Sequence, residues 1–100
     1  MSLEHQLPIP PSAIGDKEAT ELLRAWIANN SLHCSLNLGC WGDDEAIVWG
    51  ILLSDVARHV ADSLEQQQGM KKADTLAKIR EHFNTELDLP TAPPHTLDLN

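Results

Sequence analysis

The stretch Glu21-Leu22-Leu23-Arg24-Ala25-Trp26-Ile27-Ala28-Asn29-Asn30-Ser31-Leu32-His33-Cys34-Ser35-Leu36-Asn37-Leu38-Gly39-Cys40 decides whether this chain is all-helical or mixed. Asn29 and Asn30 stand at its centre. Asparagine tolerates positive φ, so the pair suits the two middle positions of a tight hairpin. With the turn placed there, Ile27 meets Leu32, Ala25 meets Cys34 and Leu23 meets Leu36, so every facing pair joins two apolar side chains on one surface. A slip of one residue would destroy that match. Residues 32 to 40 also alternate by themselves, with Leu32, Cys34, Leu36, Leu38 and Cys40 against His33, Ser35, Asn37 and Gly39, the period of a half-buried strand. Against this, Ala19, Leu22, Leu23, Trp26 and Ile27 have helical spacing and Asp16 is a possible cap, so a helix over 16–28 stays open as the alternative.

Downstream, Gly42 to Gly69 reads as the core helix, about 44–68. Trp49, Leu52, Leu53, Val56, Ala57, Val60 and Leu64 fall on one side of it, Asp44 is placed to cap it, and Gly69 is a left-handed stop. Ile47, Val48 and Ile51 add apolar surface elsewhere on its first turns, which predicts burial all round there. Gly50 inside it costs about 1 kcal/mol relative to Ala, and the close approach of another backbone would offset this. Trp41 is placed to staple down on Ile47 or Val48. A shorter helix over about 71–84 carries Ala73, Leu76, Ile79 and Phe83 at helical steps. Glu81, Glu86 and Asp88 oppose its dipole, which predicts a frayed last turn. The expected fold is therefore α+β, a β-hairpin (about 21–28 and 31–40) packed on a long helix followed by a shorter one. Prolines 8, 10 and 11 make residues 1–15 a flexible arm, and prolines 90, 93 and 94 make 88–100 a flexible tail, leaving 16–87 as one domain.

The chain has 100 residues, 7 basic and 15 acidic, for a net charge of −8. Nucleic acid and anionic membranes repel such a surface, so neither is expected as a partner. A core of this size leaves only a few kcal/mol of stability, and association of two copies is the usual remedy; a homodimer is expected. If both Cys34 and Cys40 lie on one strand, their Cα atoms stand roughly 20 Å apart, so they cannot bridge, and two unpaired thiols suit the reducing cytoplasm. No spacing of ligands calls for a metal, and no motif calls for a cofactor.

The run Leu23-Arg24-Ala25-Trp26, then Trp41 before acidic residues, then Trp49-Gly50 and Asp55-Val56-Ala57-Arg58-His59, resembles a small bacterial family known only as a domain of unknown function. The resemblance covers roughly residues 21–64. It implies a strand at Arg24–Trp26, because members carry β-branched residues at the position of Ala25, and it implies no activity. It marks Arg24, Trp26, Trp41, Trp49, Gly50, Asp55, Arg58 and His59.

Two groups of residues are candidates for a site. Asp55, Arg58, His59 and Asp62 stand at i, i+3, i+4 and i+7 on one ridge of the main helix, able in principle to hold an ion or pair an acid with a base, although such spacing most often supports a solvated face. On the hairpin, Arg24 and Trp26 share a half-apolar face with His33, directly across from Trp26. A second copy, the C-terminal helix or a small ligand would have to cover that face. The function expected is a homodimeric interaction module rather than an enzyme; the alternative is a small-molecule binder or small enzyme with a site at Arg24, Trp26, His33, Asp55 and His59.

Overall fold

The computed structural model describes residues 5–91 together with the backbone of 95–98. In chain order the elements are α1 (Pro11–Ile14), β1 (Leu23–Ala28), β2 (Ser31–Leu36), a 3-10 turn (Gly42–Asp44), α2 (Glu45–Gln68), α3 (Lys72–Asp88) and β3 (His95–Asp98). The architecture is α+β, with the hairpin before the long and short helices. The helical alternative for 16–28 is not adopted. Asp16, its would-be cap, instead accepts the backbone N–H of Glu18 at 2.9 Å, a local turn in place of a helix start.

The hairpin has the expected register, Leu23 against Leu36, Ala25 against Cys34, Trp26 against His33 and Ile27 against Leu32. Asn29 and Asn30 hold φ of 53° and 63°, the left-handed pair that a twisted two-residue turn demands. One further bond, from the Asn37 N–H to the Leu22 carbonyl at 3.0 Å, extends the ladder. The second strand nevertheless ends at Leu36, short of the predicted 40. Gly39 has φ of 89°, and a residue in that region turns the chain out of the pleat despite the alternation around it.

The sheet has three strands where the sequence predicts two. Residues 95–98, in the segment read as a tail, pair parallel with β2, His33 beside His95 and Leu36 beside Asp98, in the order β1-β2-β3. A lone two-stranded ribbon is marginal in water, and a third strand satisfies the open ladder of β2. Near the other end, Pro11 opens the one-turn α1 at a position where its missing N–H costs nothing, so the proline-rich arm is not wholly without structure.

Asp44 occupies the N-cap of α2 but makes no side-chain capping bond. The 3-10 turn does this work with backbone groups: the Asp44 N–H donates to the Trp41 carbonyl and the Glu45 N–H to that of Gly42. Gly69 ends α2 with φ of 70°, its N–H donating to the Glu65 carbonyl at 3.0 Å. Across the short turn, the Glu65 carboxylate accepts the Lys72 N–H at 3.1 Å and Lys72 Nζ reaches Asp62 at 2.7 Å. α3 runs to Asp88, one turn beyond the predicted 84. Its end is closed by the Thr85 hydroxyl donating to the Glu81 carbonyl and by Glu86, whose carboxylate accepts both the N–H and the hydroxyl of Thr91.

Ala61 is fully buried, and Thr75 is 6% exposed; both belong to the paired α2 and α3. Among the described residues no Cα of a strand comes within 8 Å of either helix, so the hairpin and α2 make no close backbone approach. The first turns of α2 are not buried all round either, since Ile47 and Ile51 are 64% and 57% exposed, and a Cβ added to Gly50 would meet nothing within 4 Å. The chain exposes 8565 Å², where a compact monomer of this length exposes roughly 5,600 Å². Its radius of gyration is 15.4 Å, against about 13 Å for a compact domain of this length.

Candidate functional site

The hairpin register brings three of the predicted residues together. Arg24 and Trp26 are two apart on β1 and project from the same face, and His33 faces Trp26 from β2. All three are half-buried. Arg24 is not free to act as a bare cation, because Glu21 holds its guanidinium at 3.0 Å. The His33 ring turns back on the hairpin's own end: Nε2 lies 3.1 Å from the Ala28 carbonyl and 3.2 Å from the Ser31 hydroxyl, and with its proton on Nε2 the ring donates to the carbonyl. That arrangement locks the turn more than it offers a base to a substrate.

Along β1 runs a half-open groove of about 860 Å³, walled on the other side by the arm and α1 through Leu7, Ile9 and Ile14. Arg24, Trp26 and Glu21 also line it. The sequence predicts Trp26 on an outer face and Ile27 on a covered one. The order is reversed: Trp26 is half-buried, whereas Ile27 is 75% exposed. Ile27 was expected to lie against α2, and the separation of sheet and helices leaves it bare.

The second group is elsewhere. Asp55, Arg58 and His59 are exposed on α2, and none forms a hydrogen bond or ion pair among the described residues. Asp62, the last of the ridge, is taken up by Lys72 of α3, whose hydrogen bond holds its carboxyl below the usual value. Asp55 and His59 lie on α2, no Cα of which comes within 8 Å of the strands that carry Arg24, Trp26 and His33. Among the described residues no group of three or more His, Cys, Asp or Glu side chains is arranged to hold a metal ion.

A residue that sequence reasoning passed over is Glu45. Its Oε1 accepts the Gly39 N–H at 2.5 Å and its Oε2 accepts the Trp49 indole N–H at 3.0 Å. One carboxylate thus ties the segment leaving the sheet to the front of α2. The i, i+4 spacing of Glu45 and Trp49 was a visible signal for half of this; the Gly39 contact was not.

A family model described as a domain of unknown function, DUF5076, matches residues 6–91. Among solved structures, one from the photosynthetic bacterium Rhodopseudomonas palustrus CGA009, described as a putative pyruvate dehydrogenase, is similar to this chain at 31% identity with a TM-score of 0.69, over 100% of both chains. A search of curated proteins finds no match. No helix among the described residues is long and apolar enough to cross a membrane.

Proposed function

We propose, for a chain that belongs to the DUF5076 family of domains of unknown function, a homodimeric interaction module of the cytoplasm. One observation carries the reading. Large apolar side chains stand bare on both halves of the protomer, among them Ile27 at 75%, Ile47 at 64%, Ile51 at 57% and Val56 at 44% exposure, and the two halves do not cover each other. Exposed large apolar side chains in such number favour association, and a second copy is the cover that is always present with the chain. Sedimentation of the purified protein at micromolar concentration tests this; a dimer is expected, and a monodisperse monomer overturns the reading.

A second reading has its own observation, the groove beside Arg24 and Trp26. The similar Rhodopseudomonas structure is described as a putative pyruvate dehydrogenase. A small 2-oxo acid has a carboxylate that Arg24 would take in exchange for Glu21, with the aromatic ring of Trp26 alongside. Thermal shift with pyruvate, compared between the parent and Arg24→Gln, tests it: a shift in the parent that the variant loses supports a ligand site there, and no shift in the parent removes it.

A further inference from the structure

We infer that the two copies exchange sheets: the apolar sheet face of one protomer packs on the α2 stripe of its partner, and residues 37–41 are the crossing segment. The inference rests on the dimer reading and specifies how the copies fit.

Two of the chain's exposed apolar surfaces suit each other. One is the sheet face whose exposed end is Ile27 and Leu32, 75% and 40% exposed, continued by Ala25 and the half-buried Cys34, Leu23 and Leu36. The other is the stripe Leu53, Val56 and Val60 on α2, 39%, 44% and 42% exposed, at the three- and four-residue steps that align them along the helix. The helix row that is covered lies beside that stripe, at Ala57, Ala61 and Leu64. A sheet face and a helix stripe are the surfaces that pack as layers in an α+β domain.

Within one chain no Cα of the strands comes within 8 Å of the helix that carries the stripe. Glu45 holds the Gly39 N–H at 2.5 Å and the Trp49 indole at 3.0 Å, so the crossing segment is fastened to the front of α2 while the strands stay beyond 8 Å of it. Reciprocal exchange covers both of these surfaces in both chains, and the twofold arrangement closes at two copies. The chain's 8565 Å² is roughly 3,000 Å² more than a compact monomer exposes, part of it on the segments before β1 and after α3, where Leu7 and Leu89 are 84% and 79% exposed. Intimate homodimers bury about 2,000–5,000 Å² in total, so a surplus of this size leaves room for one.

The experiment mixes two single-cysteine chains. The first is Cys40→Ser, which keeps only Cys34 on the sheet face. The second combines Cys34→Ser, Cys40→Ser and Val56→Cys, which puts the only thiol on the helix stripe. They are unfolded together, refolded, treated with a short bis-maleimide and resolved by mass, with sedimentation and circular dichroism on the same samples. Exchange predicts dimers whose dominant cross-link joins one chain of each kind. Dimers showing like-with-like cross-links or none overturn the exchange and leave the dimer standing, and monomers overturn both. If the Val56→Cys chain loses the parental helix signal, Val60→Cys one turn along takes its place.

Discussion

The helix pair and the sheet face the same demand, to bury an apolar surface with few residues, and meet it differently. α2 and α3 are joined by a three-residue turn, sealed at Gly69, cross-tied by Glu65 and Asp62 to Lys72, and close on Ala61 so that no solvent reaches it. The sheet pairs its strands but leaves its face open, since Ile27 and Leu32 are 75% and 40% exposed. Backbone pairing and side-chain burial are thus separable achievements. A ladder can be satisfied by strands alone, whereas burial needs a second layer.

The largest test of that contrast is Ala61→Asp. A charge at a position of 0% exposure is cut off from water and should cost about 3–5 kcal/mol. That is a large part of a small domain's whole margin. Thermal melts by circular dichroism should show the helical signal lost at every protein concentration, and a parental melt would mean that the helix pair is not the self-sufficient half.

Asn30→Val acts on the sheet. Its φ of 63° is the left-handed region that a β-branched residue enters at a cost of about 1–2 kcal/mol. If the sheet is held by association, the variant's melting temperature should depend more steeply on protein concentration than the parent's while the helical content of the native state is kept. An equal loss at all concentrations would erase the distinction between the halves.

Thr75→Val sharpens the account of the seam. The Thr75 hydroxyl is buried with no hydrogen-bond partner. Replacing it by a methyl group of similar shape should be neutral or stabilising by up to about 1 kcal/mol in denaturant unfolding. A clear loss of stability would show that the hydroxyl does find a partner.

The smallest effect concerns Asp62. Lys72 holds its carboxyl below the ordinary value of 3.8, so the ion pair contributes stability above that value and loses it as the pH falls through the depressed one. The pair is open to solvent and salt, so the contribution is small. Asp62→Asn should flatten the acid limb of the stability curve below pH 3.8 with little change at neutral pH, and an unchanged acid limb would remove Asp62 from the cross-tie.

Much of this was readable locally. Asn29 and Asn30, flanked by apolar residues at matching distances, specify the turn and with it every cross-strand pair. The stop at Gly69 follows from the φ that only glycine adopts freely. The four residues of β3 gave no such sign, because a short parallel strand is stabilised by a partner some sixty positions away. The grouping of Arg24, Trp26 and His33 followed from the register, and the separation of Asp55 and His59 from them did not.

The hairpin, the two long helices and their apolar stripes were thus legible in the residues alone, because propensity, turn chemistry and periodicity act between near neighbours. The third strand and the choice of which apolar surfaces cover each other came only with the folded chain. Burial has no preferred partner: the hydrophobic effect rewards any contact that removes area from water, so the stripe of α2 asks for a cover without naming it. Glu45 fastens the segment around Gly39 to the front of α2, and no Cα of the strands comes within 8 Å of that helix.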